Sequence, residues 1–123
     1  MMINFFYDSY AIIEYINGNP NYKKYFVEYE GITTLYNVME VYYSVLREEG
    51  EEKAKKALEL FKPLIIYPSI EDLEKSMKFR LKQKKKKLSY ADCLGYTLAL
   101  KNKIKFLTGD EDFRDIQNVE FIK

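Results

Sequence analysis

Histidine is absent from the 123 residues of this chain. Without imidazole the chain lacks the one side chain that ordinarily titrates near neutrality and the commonest metal-binding nitrogen. Serine triads, histidine–glutamate zinc sites and two-histidine ribonuclease chemistry are therefore excluded. Cysteine occurs once, at Cys93, so no intramolecular disulfide can form, which leads us to expect a reducing, cytoplasmic setting. Neither GxxxxGKS/T nor GxGxxG occurs, which argues against a nucleotide-cradling loop. No apolar run approaches the ~20 residues that span a bilayer, so no membrane partner is expected. The opening MMINFFYDSY has no basic residue ahead of its apolar stretch and meets Asp8 at once, unlike a secretory signal. An excess of either charge is lacking too: 20 Lys and Arg against 19 Asp and Glu leave a formal +1.

What remains is ordinary globular material. A hydrophobic fraction of 47% supports a core, and the length suits one domain over residues 1–123. Any catalysis must come from carboxylates, lysines, tyrosines or hydroxyls. Carboxylates without histidine suit hard cations such as Mg2+ or Mn2+.

Short apolar runs alternate with helical periodicity along the chain. Strands are expected at Met2–Tyr7, Gly31–Thr34, Leu64–Tyr67, Lys105–Leu107 and Val119–Ile122. Helices are expected at Ser9–Ile16, from Asn19–Pro20 to about Tyr29, from Leu35 to Gly50, and at Glu51–Phe61. Two more begin at capping-box patterns, Ser69–Asp72 and Ser89–Asp92. Alternation of this kind predicts an α/β fold with a largely parallel sheet.

In such sheets, sites form beyond the carboxyl ends of the strands. Asp8 directly follows the first strand; Asp110 and Asp112 directly follow the strand ending FLTG; Asp92 and Glu40 lie in the opening turns of helices. Each has a structural alternative. Asp92 could cap its helix with Ser89, Asp110 could cap the DEDF turn, and Glu40 could be a solvated surface residue. Asp8 is harder to dismiss, because a turn there would accept Asn or Ser equally well.

Four segments taken in order, FFYDSYAIIEYI, TTLYNVMEVYYSV, LSYADCLGYTLALKNK and FLTGDEDFRDIQNVEFI, resemble a PIN domain. Within that family they are most similar to the small VapC-type ribonuclease toxins of toxin–antitoxin operons. The likeness covers nearly the whole chain and implies a three-layer α/β/α sandwich with a short, mostly parallel central sheet. Position by position, it implies an acidic pocket of Asp8, Glu40, Asp92 and Asp110. Asp112 matches a further acid, and the metal-binding set is taken as Asp8, Asp92, Asp110 and Asp112. Ser9 and Thr108 match supporting hydroxyls, whereas Tyr10 departs from the small or Asn residue usual there. The implied activity is Mg2+- or Mn2+-dependent hydrolysis of RNA, leaving a 3′-hydroxyl and a 5′-phosphate. The implied partners are a cognate antitoxin and a second copy of the chain. Gly109 is expected to permit the turn that presents DEDF.

The run from Lys78 to Lys87 holds seven cations and no acid. Arg80, Lys84, Lys85, Lys86 and Lys87 are candidate RNA contacts, with a solvated helix end or an acidic antitoxin segment as the alternatives. The 12 Tyr and 8 Phe are assigned mainly to core and interface. Tyr36, Tyr42 and Tyr43, together with Tyr22, Tyr25 and Phe26, are expected to form an exposed patch for a partner. Cys93 is expected to be a small buried residue. Two other functions compete with this reading. A catalytically silent PIN-like module has no physical reason to keep mutually repelling acids. A phospho-receiver would need an acceptor Asp after a central strand, where Leu64–Tyr67 instead runs into Pro68–Ser69.

Overall fold

A computed structural model of the chain describes residues 2–123. Five short strands form one sheet: β1 (Phe5–Tyr7), β2 (Gly31–Thr34), β3 (Ile65–Ile66), β4 (Lys105–Thr108) and β5 (Val119–Phe121). Their order across the sheet is β3-β2-β1-β4-β5, and every neighbouring pair is parallel. Strand order therefore reverses between β1 and β4, with Phe6 opposite Phe106 and Tyr7 opposite Leu107.

Alternation along the strands sets the layers, because successive side chains leave a sheet on opposite faces. Phe5, Tyr7 and Leu107 point to one face. There they pack on α1 (Ser9–Ile16), α2 (Lys23–Val27), α3 (Leu35–Glu49) and α4 (Glu51–Phe61) through Ile12, Tyr25, Val41 and Phe61. Phe6 and Phe106 point to the other face, against α6 (Tyr90–Lys101), and α5 (Ile70–Lys82) packs outside it. The result is the expected three-layer α/β/α sandwich. Cys93 is fully buried in the second layer, as expected of a small apolar residue.

Local chemistry explains the helix starts. Ser69 and Ser89 each accept from the amide three residues on, at 3.1 and 3.0 Å, and the carboxylates of Asp72 and Asp92 each return a bond to the serine amide at 2.8 Å. Gly50, at φ +93°, makes the reversal between α3 and α4 that a side chain would resist.

Several expectations need correction. The second helix begins at Lys23 and ends at Val27, because Asn19 accepts from the Asn21 amide at 2.9 Å and holds 19–22 in turns. The third strand is only Ile65–Ile66, since Pro63 tightens Lys62–Leu64 into a 3-10 turn. Tyr22 and Tyr25 are buried and Phe26 is half-buried, so they are not part of an exposed patch. Their hydroxyls explain the burial: Tyr22 donates to the Ile122 carbonyl, and Tyr25 donates to Glu120 at 2.7 Å. On α3 the buried stripe is Asn37, Val38, Val41 and Val45, which leaves Leu35, Tyr36, Met39, Tyr43 and Leu46 exposed.

Candidate active site

The carboxyl ends of β1, β2 and β4 open on one side of the sheet. Asp8 leaves β1 as the N-cap of α1, yet its side chain makes no capping bond. It turns instead toward β4, where the Thr108 hydroxyl donates to Oδ2 at 2.7 Å. Its other oxygen, Oδ1, is buried without any hydrogen-bond partner. Asp8 as a whole is 2% exposed. A carboxylate half satisfied in so dry a place is costly unless something outside the chain completes it.

The three other pocket acids each commit one oxygen to local structure. Glu40 Oε1 accepts from Ser9 at 2.6 Å; Asp92 Oδ2 accepts from the Ser89 amide at 2.8 Å; Asp110 Oδ1 accepts from the Asp112 amide at 3.0 Å. The second oxygen of each has no hydrogen-bond partner among the described residues. The capping alternatives for Asp92 and Asp110 are thus correct as geometry. They do not compete with chemistry, because they use only half of each carboxylate.

Electrostatics shows that these acids share a neighbourhood. Burial, then the charge of Asp92, pushes the Asp8 carboxyl up to about 8, with Glu40 adding to the effect. Asp92 is raised to about 6 by burial, against the Ser89 bonds, with Asp110 and Glu40 pushing further upward. The charge on Asp92 opposes ionisation of Asp8, so the two carboxyls titrate as a pair. Asp110 feeds its charge to Asp92 and is tied back to Thr108, whose Oγ1 accepts from the Asp110 amide at 3.1 Å.

The chain belongs to the PIN domain family. Its family model matches residues 5–119, and the PIN fold also appears in three solved structures. A toxin–antitoxin complex from Klebsiella pneumoniae superposes with a TM-score of 0.74 at 23% identity, covering 93% of each chain. VapC20 of Mycobacterium tuberculosis, described as a sarcin–ricin loop cleaving toxin, gives 0.80 at 15% identity over 95% of this chain and 98% of that one. VapBC2 from Rickettsia felis, bound to a DNA fragment from its promoter, gives 0.72 at 18% identity over 98% of each chain. No curated protein matches the sequence.

Among the expected PIN positions, Asp8, Glu40, Asp92 and Asp110 are linked by mutual charge, and Ser9 and Thr108 orient Glu40 and Asp8. Asp112 lends its amide to Asp110, and its carboxylate has no side-chain partner among the described residues. Two contributors were missed. Buried Asn37 donates to Ser9 at 2.9 Å and accepts from Thr34 at 2.6 Å, so the orientation of Glu40 is fixed from α3 and from the end of β2. The signal was available: Thr34 and Asn37 stand three apart at a helix start, a capping pattern.

Gly109 requires correction. It adopts no left-handed conformation; a Cβ there would lie 2.2 Å from the Ile122 carbonyl oxygen and 2.5 Å from the Tyr10 ring. Space, not backbone freedom, calls for glycine. The basic run also divides. Arg80 donates to the Leu88 carbonyl at 3.2 Å and Lys86 pairs with Asp115 at 2.7 Å, while Lys84, Lys85 and Lys87 are exposed in the turn after α5.

The donor set fits a hard divalent cation, because it consists of carboxylate oxygens and includes a buried, unpartnered one on Asp8. Among the described residues, no three acids or cysteines converge closely enough to enclose an ion alone. Mg2+ does not demand that, since it binds through one or two carboxylates together with waters and substrate phosphate. No described helix is long and apolar enough to cross a membrane.

Proposed function

We propose that the chain is a Mg2+- or Mn2+-dependent endoribonuclease, one nuclease domain over residues 1–123, acting in the cytoplasm as the toxin of a toxin–antitoxin pair. The observation that carries this is the set of half-used carboxylates, with the orphaned Asp8 oxygen at its centre, at the point where strand order reverses. Asp8, Asp92 and Asp110 would hold the metal, with Asp112 beside them. When bound, the cation supplies charge neutralisation, a lowered pKa for its water and polarisation of the phosphoryl oxygen.

The chain's own groups account for the rest. Thr108 fixes the Asp8 carboxylate, and Ser9, held by Asn37, fixes Glu40. We assign Glu40 the proton from the attacking water, because it is exposed and its Oε2 has no protein partner. The new bond forms between water oxygen and phosphorus, the bond from phosphorus to O3′ breaks, and the departing oxygen takes a proton. The products are a 5′-phosphate and a 3′-hydroxyl. Exposed Lys84, Lys85 and Lys87 supply cations for the RNA backbone.

Two surfaces support protein partners. A groove of about 660 Å³ among α1, α3 and α4 is lined by Tyr15, Ile16, Val45 and Leu60; of its charged residues Lys53 pairs with Glu49, which leaves Lys23 and Lys56 and suits an apolar and acidic antitoxin segment. The outward residues Leu35, Tyr43 and Leu46 of α3 suit a homodimer. The test is RNA cleavage with and without Mg2+ or Mn2+, using the wild type and Asp8→Asn. Metal-dependent activity that disappears in the variant is expected; cleavage that survives chelation rejects the mechanism.

A further inference from the structure

A second cavity, of about 560 Å³, lies between α3, α5 and α6. Its walls include Tyr36, Met39, Leu73, Met77 and Tyr90, and it reaches the acids through Glu40 and through Ser89, the residue that caps Asp92. Tyr90 is 67% exposed, which is unusual for a ring at the mouth of an apolar cavity. It is nevertheless held. The Arg80 guanidinium lies 4.7 Å from the ring centroid, and Arg80 Nε is anchored on the Leu88 carbonyl. A cation fixed against a ring restrains its orientation and leaves its remaining surface for another flat group.

Charge is distributed in the same sense. The turn joining α5 to α6 starts just beyond Arg80 and ends just before Ser89, and it carries exposed Lys84, Lys85 and Lys87. The cavity lining itself includes Glu40, and Asp92 stands one residue from Ala91 of that lining. A ligand that suits these groups has a flat apolar portion for the ring and an anionic backbone for the lysines that precede Ser89 in the chain. It also has a linkage to place among the acids once a cation neutralises them. A single-stranded nucleic acid has these parts, and stacking of an unpaired base on an aromatic residue contributes about 1–3 kcal/mol, roughly 5- to 150-fold in affinity.

We infer that this cavity is a nucleobase subsite, in which a base beside the scissile phosphate stacks on Tyr90 with Arg80 as its brace. The inference deepens the ribonuclease reading and rests on it for the identity of the strand. Tyr90 is a substrate-binding residue here and takes no part in the proton transfers.

The experiment compares the wild type, Tyr90→Phe and Tyr90→Ala. Steady-state cleavage of a short unstructured RNA is measured in Mg2+. Quenching of a 2-aminopurine base in the same oligonucleotide is measured in Ca2+, which neutralises the acids while its looser coordination serves this hydrolysis poorly. Tyr90→Ala should raise KM about 5- to 150-fold with kcat little changed, and should abolish quenching; Tyr90→Phe should behave as the wild type. Unchanged KM or persisting quenching in Tyr90→Ala overturns the subsite. So does a wild type that binds no oligonucleotide, or a Tyr90→Ala protein whose defect is loss of self-association on a sizing column. Quenching that requires Tyr90 in a protein that cleaves no RNA would uphold the subsite and reject the nuclease. Because the ring is exposed, its truncation leaves the core intact, which circular dichroism checks.

Discussion

Replacing Asp8 by Asn should stabilise the metal-free protein. Asp8 is almost fully buried, with one oxygen bonded to Thr108 and the other to nothing. An unsatisfied buried polar group costs about 1–3 kcal/mol, and more when it is charged. Asn preserves the shape and the oxygen that Thr108 reaches; its amide nitrogen takes the unpartnered place without a charge, and the repulsion from Asp92 is removed. The effect has a defined pH dependence. Because the Asp8 carboxyl is raised from 3.8 to about 8, protonation favours the folded state. That contribution is complete below about pH 4 and is lost as the pH climbs through about 8. The difference between variant and wild type should therefore be small near pH 4 and widen by up to ~1.4 kcal/mol per pH unit towards pH 8, each kcal/mol being roughly 3–6 °C in Tm for a chain of this size. Taking the difference cancels the groups that titrate oppositely, such as Asp72 and Glu111, whose carboxyls are lowered. Saturating Mg2+ or Mn2+ should narrow the gap by raising the wild type alone, since a ligand at 100 times its Kd adds about 2.7 kcal/mol and at 1,000 times about 4.1. Differential scanning fluorimetry from pH 4 to 8, with chelator and with metal, reads all of this. An Asp8→Asn protein no more stable than the wild type at pH 8 in chelator, yet fully responsive to metal, would refute the reasoning.

Other outcomes can be checked in parallel. Gly109→Ala should cost about 2–3 kcal/mol, because its Cβ meets the Ile122 carbonyl at 2.2 Å, and should lower the urea midpoint with little change in slope. Asn37→Ala strands Thr34 and Ser9 and should cost about 1–3 kcal/mol while lowering kcat through a loosened Glu40, measured by urea titration beside single-turnover cleavage. Charge reversal of Lys84, Lys85 and Lys87 should weaken RNA binding and flatten its dependence on salt by about 0.7 per lost phosphate contact; unchanged binding in a salt titration would make that turn a solvated helix end.

The sequence disclosed most where one physical rule governs alone. The starts of α5 and α6 were legible because Ser-x-x-Asp supplies its own bonds, and α4 because Gly50 and Pro63 bracket a periodic run. The acids were legible as positions, since strand ends in a parallel sheet are where sites form. Their mode of use was not. One-dimensional spacing shows that Asp92 can cap or coordinate, but not that a carboxylate has two oxygens to divide between those tasks. Tyr22 and Tyr25 misled for a related reason. Their aromatic pattern is equally consistent with a surface patch, and only the partners on and just after β5, far away in the chain, show that the hydroxyls are satisfied inside. Gly109 was read from its neighbours as a turn residue, whereas the constraint comes from Ile122 and Tyr10 across the fold.

The Ser89–Asp92 pair has a bearing on how decay of such a protein would look. An acid whose side chain also caps a helix is retained by folding even after chemistry is abandoned, whereas the Asp8 side chain lends nothing to its own helix and burdens the fold whenever it is charged and unaccompanied. In a descendant that no longer uses the site, Asp8 should be the first of the acids to disappear and Asp92 among the last. Loss at the first strand is therefore the informative event, and persistence of the helix-starting aspartate says little about whether a copy is still active.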